Sequence, residues 1–315
     1  MGWLVVALFV LQAPGEPRVL ISRVEKIDSD NAAQDQKAVN LREPANVFSS
    51  LVEQPLTPQG PPEPLSLPEV SARSFLITDL KTGKVLGEKE ARLPLPPAST
   101  TKILTALVSL NSYDLGEAVT VPEVCATLPK DQSQMGLRPG ERITAENLLY
   151  GLLVQSASDA ACALAYYYPS GEPAFVEAMN TLAQDLDMGD SFFVNPSGND
   201  EVGQAHLSSA WDLSRATKKA LDFGILRLMV GTWEINLPSV DQKYWHLVHN
   251  TNELLGTYPG TFGVKTGYTE QARGCLILAV ARKGQEILVV VLGSEDRFSE
   301  AQALAEWAFQ AYRWE

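Results

Sequence analysis

SFLITDLKTGKVLGEKEARLPLPPASTTKILTALVSL, residues 74–110, decides the fold. Phe75, Leu76 and Ile77 precede a turn-rich break at Asp79–Gly83, and Val85 and Leu86 follow it. Apolar, β-branched runs on either side of such a break predict a β-hairpin. Pro94, Pro96 and Pro97 then end any strand, because proline fixes φ and brings no N–H to a ladder. Beyond them Ile103, Leu104, Leu107, Val108 and Leu110 recur at helical spacing. Ser99 falls at the start of this helix and Lys102 one turn on. An i, i+3 pair shares a helix face, so the lysine amine can reach the serine hydroxyl.

Working outward, a second helix is predicted from Ala145 through Leu153, a break at Ser156–Ser158, and another helix from about Asp159. After Gly260 the pattern returns to strands over Thr261–Lys265, Cys275–Val280 and Ile287–Leu292. The chain closes on a helix, Ser299–Tyr312, with Ala303, Leu304, Trp307 and Ala308 on one face. Strands thus occur at both ends and helices between them. The expectation is an α/β fold of the α+β type: a five-stranded antiparallel sheet built from both chain ends, flanked by helices, with a mostly helical insert.

Upstream the chain looks different. Trp3–Leu11 is an unbroken apolar run, too short for the roughly 20 residues that span a bilayer. Residues 1–13 therefore read as an N-terminal anchor or the remnant of an export signal. Residues 14–70 carry nine of the 20 prolines, six of them between Pro55 and Pro68, and read as an acidic, semi-rigid linker. Val39–Leu51 could hold a short helical turn. The folded body is expected over residues 71–315.

Composition excludes several classes. The chain has 315 residues, 45% of them hydrophobic, enough for a real core. A net charge of -13 lacks the basic face that nucleic acid demands, so no nucleic-acid partner is expected. Cys125, Cys162 and Cys275 are odd in number, widely spaced and without a CxxC pair, which speaks against a disulfide scaffold or a zinc ribbon. His246 and His249 form HxxH, but nothing nearby completes a zinc site, and both read as ordinary histidines. No phosphate-cradling glycine loop is present.

Three short motifs can carry chemistry. Ser99–Lys102 is an SxxK pair. A serine Oγ becomes a nucleophile when a neighbouring base takes its proton, and a lysine with a lowered pKa is such a base. The helix start also offers free N–H groups to a developing oxyanion. Alone, the pair is also what an N-capping serine and a solvated lysine look like. Ser156, Ser158 and Asp159 sit between two helices and could equally be caps. Lys265, Thr266 and Gly267 end a predicted strand, where a cation, a hydroxyl and a bare α-carbon suit a carboxylate. Lys81–Gly83 repeats the tripeptide, and there it reads as a hairpin turn.

The order and context of the three motifs resemble those of penicillin-binding proteins and β-lactamases. They are separated by 57 residues (Ser99 to Ser156) and 109 residues (Ser156 to Lys265). The flanks DLKTGKVLGEKEARLPLPPASTTK, FFVNPSGND (192–200), NTNELLGTYPGTFGVKTGYT (250–269) and DRFSEAQALAEWAF (296–309) resemble the D-alanyl-D-alanine carboxypeptidases, the low-molecular-mass penicillin-binding proteins. The resemblance covers about residues 70–315. It implies Ser99 as nucleophile, Lys102 as its base and Ser156 as proton relay to the leaving amine. It implies an oxyanion hole from the N–H groups of Ser99 and Tyr268. Ser158, Lys265, Thr266, Gly267, Tyr268 and Arg297 would bind substrate. The implied partners are peptidoglycan stem peptides, with β-lactams as covalent inhibitors; no metal or cofactor is implied. The implied location is the cell envelope outside the cytoplasm, with attachment, if any, through the N-terminus.

One position departs from the family pattern: Ser158 stands where the second motif usually has asparagine. Three readings follow: a carboxypeptidase, a D,D-endopeptidase of the same family, or a weakly active penicillin- or muropeptide-binding module. A class A β-lactamase needs a glutamate in an E-x-x-L-N loop, and Glu177–Asn180 does not supply it.

Overall fold

The computed structural model describes residues 56–60, 65–200 and 203–315. The apolar run Trp3–Leu11 and the suggested turn at Val39–Leu51 lie outside them. The elements, in chain order, are β1 (Pro58–Gln59), β2 (Ser74–Asp79), β3 (Val85–Lys89), a 3-10 turn (Ala98–Thr101), α1 (Lys102–Ser112), β4 (Ala118–Thr120), α2 (Glu123–Ala126), β5 (Arg142–Thr144), α3 (Ala145–Val154), α4 (Ser158–Tyr167) and α5 (Glu172–Asp185). There follow α6 (Ala210–Leu221), α7 (Gly224–Val230), β6 (Glu234–Pro238), β7 (Trp245–His249), β8 (Thr261–Thr269), β9 (Arg273–Arg282), β10 (Gln285–Ser294), α8 (Arg297–Ala311) and β11 (Arg313–Trp314).

The expected five-stranded antiparallel sheet is present, in the order β3-β2-β10-β9-β8. Strand alternation divides its side chains between two cores. On β10, Ile287, Val289 and Val291 face α8, together with Phe75 and Ile77 of β2 and Leu276, Leu278 and Val280 of β9. Leu288, Val290 and Leu292 face the opposite way, into the core of the helical insert. Both faces are covered, which is why these strands read as continuous apolar runs and not as alternating ones. β8 is an edge strand, so one side of its backbone is free to pair with something else.

α8 buries a different stripe from the expected one. Ala301, Leu304, Ala305, Ala308 and Ala311 face the sheet, Ala303 is exposed, and Trp307 is half-buried. Small residues let the helix lie close on the sheet, and the indole instead covers Gly87 and donates to the Leu65 carbonyl at 3.3 Å. Two small two-stranded antiparallel sheets, β4–β5 with α2 between its strands and the hairpin β6–β7, were not foreseen. β4 and β5 are three residues each, too short for a period to show. In β7 the alternation is plain in burial, with His246 and Val248 inward and Trp245, Leu247 and His249 outward.

The proline-rich stretch differs from a free spacer in its described part. Pro58 and Gln59 pair antiparallel with Trp314 and Arg313. Thr57 and Glu315 exchange backbone hydrogen bonds of 2.9 and 3.2 Å. A proline tolerates such a position because an edge strand needs a donor only on one side. Among the described residues no helix is long and apolar enough to cross a membrane.

Cys125 and Cys162 form a disulfide, with Cys275 free and buried. An odd cysteine count excludes a fully paired framework but not one bridge, and no spacing rule pointed to this pair. The bridge ties α2 to α4 across a separation of 37 residues. The chain-entropy cost of an open loop of that size is roughly 3–4 kcal/mol. Cys125→Ser is therefore expected to lower the Tm by several degrees in a thermal melt, with reductant producing the same shift in the parent protein.

Candidate active site

The nucleophile candidate sits where the proline run meets α1. Thr100 Oγ1 donates to the Pro97 carbonyl at 2.6 Å and closes the 3-10 turn. Ala98 takes φ +48°, in the left-handed region that costs a non-glycine residue about 1–3 kcal/mol. The turn is held in this shape from two sides. Gly267 of β8 lies so close that an added Cβ would stand 3.0 Å from both Ala98 Cβ and the Ser99 nitrogen. On the other side Gly198, at φ +79°, leaves no room for a Cβ beside the Ala98 carbonyl and Thr101 Oγ1. Gly198→Ala is expected to strain the backbone, displace the turn and destabilise by more than about 1 kcal/mol. Its Tm should fall in a thermal melt; an unaltered Tm would mean that the turn is not held from this side.

Lys102 is fully buried in the first turn of α1. Its Nζ lies 2.8 Å from Ser99 Oγ, 2.7 Å from the Ser197 carbonyl and 3.4 Å from Ser158 Oγ. Burial pushes its pKa from the ordinary 10.5 down to about 7, against the opposing charge of Asp159. A neutral amine keeps two N–H groups and one lone pair. The Ser197 carbonyl accepts only, so it takes one N–H, and the lone pair is left for a serine hydroxyl. Ser99 is the nearer of the two.

The second motif lies at the α3–α4 break. Ser156 is buried at φ +63°, another left-handed non-glycine residue. Ser158 begins α4. The Asp159 carboxylate accepts N–H bonds from Met135, Gly136 and Leu137 at 2.9–3.1 Å, and the Ser158 N–H reaches the Ser133 carbonyl at 2.7 Å. These bonds fasten the 133–137 loop over the start of α4, so Asp159 is a structural clamp.

β8 supplies the third wall. Lys265 is fully buried, and its pKa is held well below the usual lysine value by burial first, then by the charges of Lys102 and Arg297. The Thr266 and Thr251 hydroxyls lie 2.6 Å apart, which ties β8 to the 250–254 loop. Tyr268 is 53% exposed at the rim. Arg297, the first residue of α8, donates to the Gly267 carbonyl at 3.1 Å, and its Nε–H is buried without a partner. Ser99, Lys102 and Ser158 are thus in direct contact, and Gly267 and Arg297 close on them through the β8 backbone. The second KTG, Lys81–Gly83, is a hairpin turn capped by Asp79, which accepts from the Thr82 N–H and hydroxyl.

Reading residues one motif at a time missed the support behind Ser99. Asn195 Oδ1 accepts the N–H groups of Ser197 and Gly198, shaping the turn that aims the Ser197 carbonyl at Lys102. His206 accepts the Val194 N–H at Nδ1, so its Nε2–H donates to Thr101 Oγ1 at 2.8 Å. Burial lowers the His206 pKa to about 4 against the charge of Asp200, so the ring is neutral and this tautomer is fixed. The signal lay in NPSG (195–198), where an asparagine, a proline and a glycine together mark a tight turn.

The other histidines are structural. His246 is buried between Glu141 Oε1 at 2.6 Å and the Met135 carbonyl. Burial opposes its charge, yet the Glu141 bond and charge hold its pKa above the usual value. His249 is exposed and pairs with Glu234. Among the described residues no group of three His, Cys, Asp or Glu side chains is placed to hold a metal ion.

Comparison with known proteins agrees with this geometry. Residues 61–296 match the family model described as D-alanyl-D-alanine carboxypeptidase. The chain is 35% identical over 250 residues to the D-alanyl-D-alanine carboxypeptidase DacF of Bacillus subtilis, covering 76% of this chain and 63% of that protein's length. It is 31% identical over 273 residues to a D-alanyl-D-alanine endopeptidase of Pseudomonas aeruginosa, covering 83% of this chain and 86% of the relative. The crystal structure of the Streptomyces K15 DD-transpeptidase superposes with a TM-score of 0.74 at 31% identity, over 78% of this chain and all of that one. With the SxxK pair, the clamped second motif and the KTG strand packed together, the chain belongs to the D-alanyl-D-alanine carboxypeptidase family of serine peptidases.

Proposed function

We propose that this protein removes the terminal D-alanine from peptidoglycan stem peptides through an acyl-enzyme on Ser99. The observation that carries the reading is a buried, readily neutralised lysine amine 2.8 Å from a serine Oγ. Lys102 takes the Ser99 proton as Oγ attacks the carbonyl between the two D-alanines. The Ser99 and Tyr268 N–H groups receive the developing oxyanion. Ser156 passes a proton to the leaving amine. Lys265, Thr266 and Arg297, set beside Gly267, take the substrate's terminal carboxylate. A neutral Lys102 then activates water against the ester, which frees the shortened peptide and restores Ser99. β-Lactams enter the same path and stop at the acyl-enzyme.

The direct experiment is release of D-alanine from a pentapeptide stem, run beside a cross-linked dimer of stems. The carboxypeptidase reading expects faster turnover of the pentapeptide. Preference for the dimer would establish the endopeptidase, the reading favoured by the Pseudomonas relative. Penicillin labelling without turnover of either substrate would establish the binding module.

Ser158 tunes the site. Its hydroxyl, 3.4 Å from Lys102 Nζ, can donate or accept, so it competes weakly with Ser99 for the lysine lone pair. An asparagine carbonyl oxygen accepts only and reaches further. Ser158→Asn is expected to raise kcat/KM for D-alanine release by roughly up to tenfold, the value of one neutral hydrogen bond. An unchanged or lower rate would show that the site is already adapted to serine.

The proposed place of action is the cell envelope outside the cytoplasm, which the Cys125–Cys162 bridge supports, since such bridges persist in oxidising compartments. Residues 1–13 as anchor or signal, 14–70 as linker and 71–315 as peptidase remain the proposed organisation, with β1 as the point where the linker meets the body.

A further inference from the structure

We propose that the groove beside α5 is a saccharide subsite, which holds the amino-sugar chain that carries the stem peptide. This rests on the substrate class proposed above. The groove has a volume of about 730 Å³, within the range of about 300–1,000 Å³ typical of ligand sites. Tyr166 and Phe192 form its walls, with Val176, Glu177, Asn180 and Gln204 around them.

Two features select a sugar. The first is the pair of exposed rings. Phe192 is 56% and Tyr166 42% exposed, while the neighbouring Phe193 is fully buried against His206. Exposed rings gathered in one groove are the informative kind of exposure, because a single exposed apolar residue is ordinary. Flat, rigid ring faces suit the C–H faces of a pyranose, and the carboxylate of Glu177 and the amide of Gln204 suit its hydroxyl and acetamido groups. The floor is rigid: Asn180 exchanges hydrogen bonds with both the N–H and the carbonyl of Phe193, at 2.9 and 2.8 Å.

The second feature is continuity with the catalytic turn. Gln204 lines both this groove and the small crevice formed by Pro97, Ala98, Gly198 and His206 next to Ser99. Phe192 bridges to Leu207, and the adjacent Ser208 bridges to Leu95, four residues before Ser99. Val194 in the groove is tied through His206 to Thr101. A saccharide held in the groove would therefore leave its stem peptide to cross by way of the shared Gln204 edge toward the catalytic turn.

Titration calorimetry with chitotetraose, a peptide-free chain of N-acetylated hexosamines, tests this on the wild type and on Phe192→Ala. The expected result is saturable binding that weakens about tenfold in the variant, the most one aromatic contact supplies. A second reading compares kcat/KM on a disaccharide-linked pentapeptide with that on the free pentapeptide. The ratio should exceed one and fall toward one in Phe192→Ala. No saturable binding, equal binding by the variant, or displacement of nothing but a sugar-free stem peptide from the groove would overturn the proposal. Chitotetraose binding without turnover of either peptide would sustain the subsite and sink the catalytic reading.

Discussion

Ser99→Ala is expected to abolish D-alanine release and to prevent covalent labelling by penicillin, while the thermal melt stays that of the parent. Removing the nucleophile of a serine hydrolase costs on the order of 10⁶-fold in kcat, because the remaining groups act only through it. The folded state should hardly notice. Ser99 is half-buried and, among the described residues, its Oγ bonds only to the Lys102 amine, so deletion leaves a lysine that still holds the Ser197 carbonyl and Ser158. Residual labelling in the variant, read by intact mass, would place the nucleophile elsewhere, with Ser156 the first alternative.

The second large effect concerns Lys102. Arg in its place cannot lose a proton near neutrality, and the Met thioether sulfur is not basic enough to take one. Both variants should lose roughly 10²–10⁴-fold in acylation rate, the usual worth of a positioned base. The parent enzyme should show its origin in pH dependence. With a pKa near 7, the neutral amine accumulates as pH rises, so kcat/KM should climb through about pH 7 and level off above it. An acid limb near pH 4 would point to a carboxylate base and contradict this account. Stability moves in the same sense. The folded pKa lies below the unfolded value of 10.5, so the stability contribution is complete above 10.5 and is lost as pH falls through about 7.

The hairpin, the helix carrying SxxK and the three late strands are legible because each is a run of one periodicity bounded by proline or glycine. β9 and β10 are long and apolar, and α1 follows three prolines within four residues. The stripe on α8 was misplaced because alanines carry little periodic contrast: Ala303 and Ala305 look alike in sequence but only Ala305 meets the sheet. The disulfide was hidden because its two cysteines meet through the packing of α2 on α4, which no local pattern encodes. The docking of β1 was hidden because proline-rich sequence reports what a segment cannot do, not where it rests.

The candidate site divides in the same way. The side chains proposed to work through their own chemistry, Ser99, Lys102 and Lys265, stand in motifs and are legible in the sequence. Groups that work by shape were not. The Ser197 carbonyl and the Ala98 strain have no residue-type signature, and His206 acts through a tautomer fixed by a backbone N–H. Gly267 belongs to a motif, yet its reason is steric: the β8 backbone must pass within contact of the Ser99 nitrogen.

The most direct test is mass spectrometry of the folded protein after exposure to benzylpenicillin, followed by peptide mapping. The account predicts one adduct of the whole penicillin, carried by the peptide containing Ser99 and formed faster as pH rises through about 7. An adduct on another residue, or none on protein whose melt shows it folded, would contradict it.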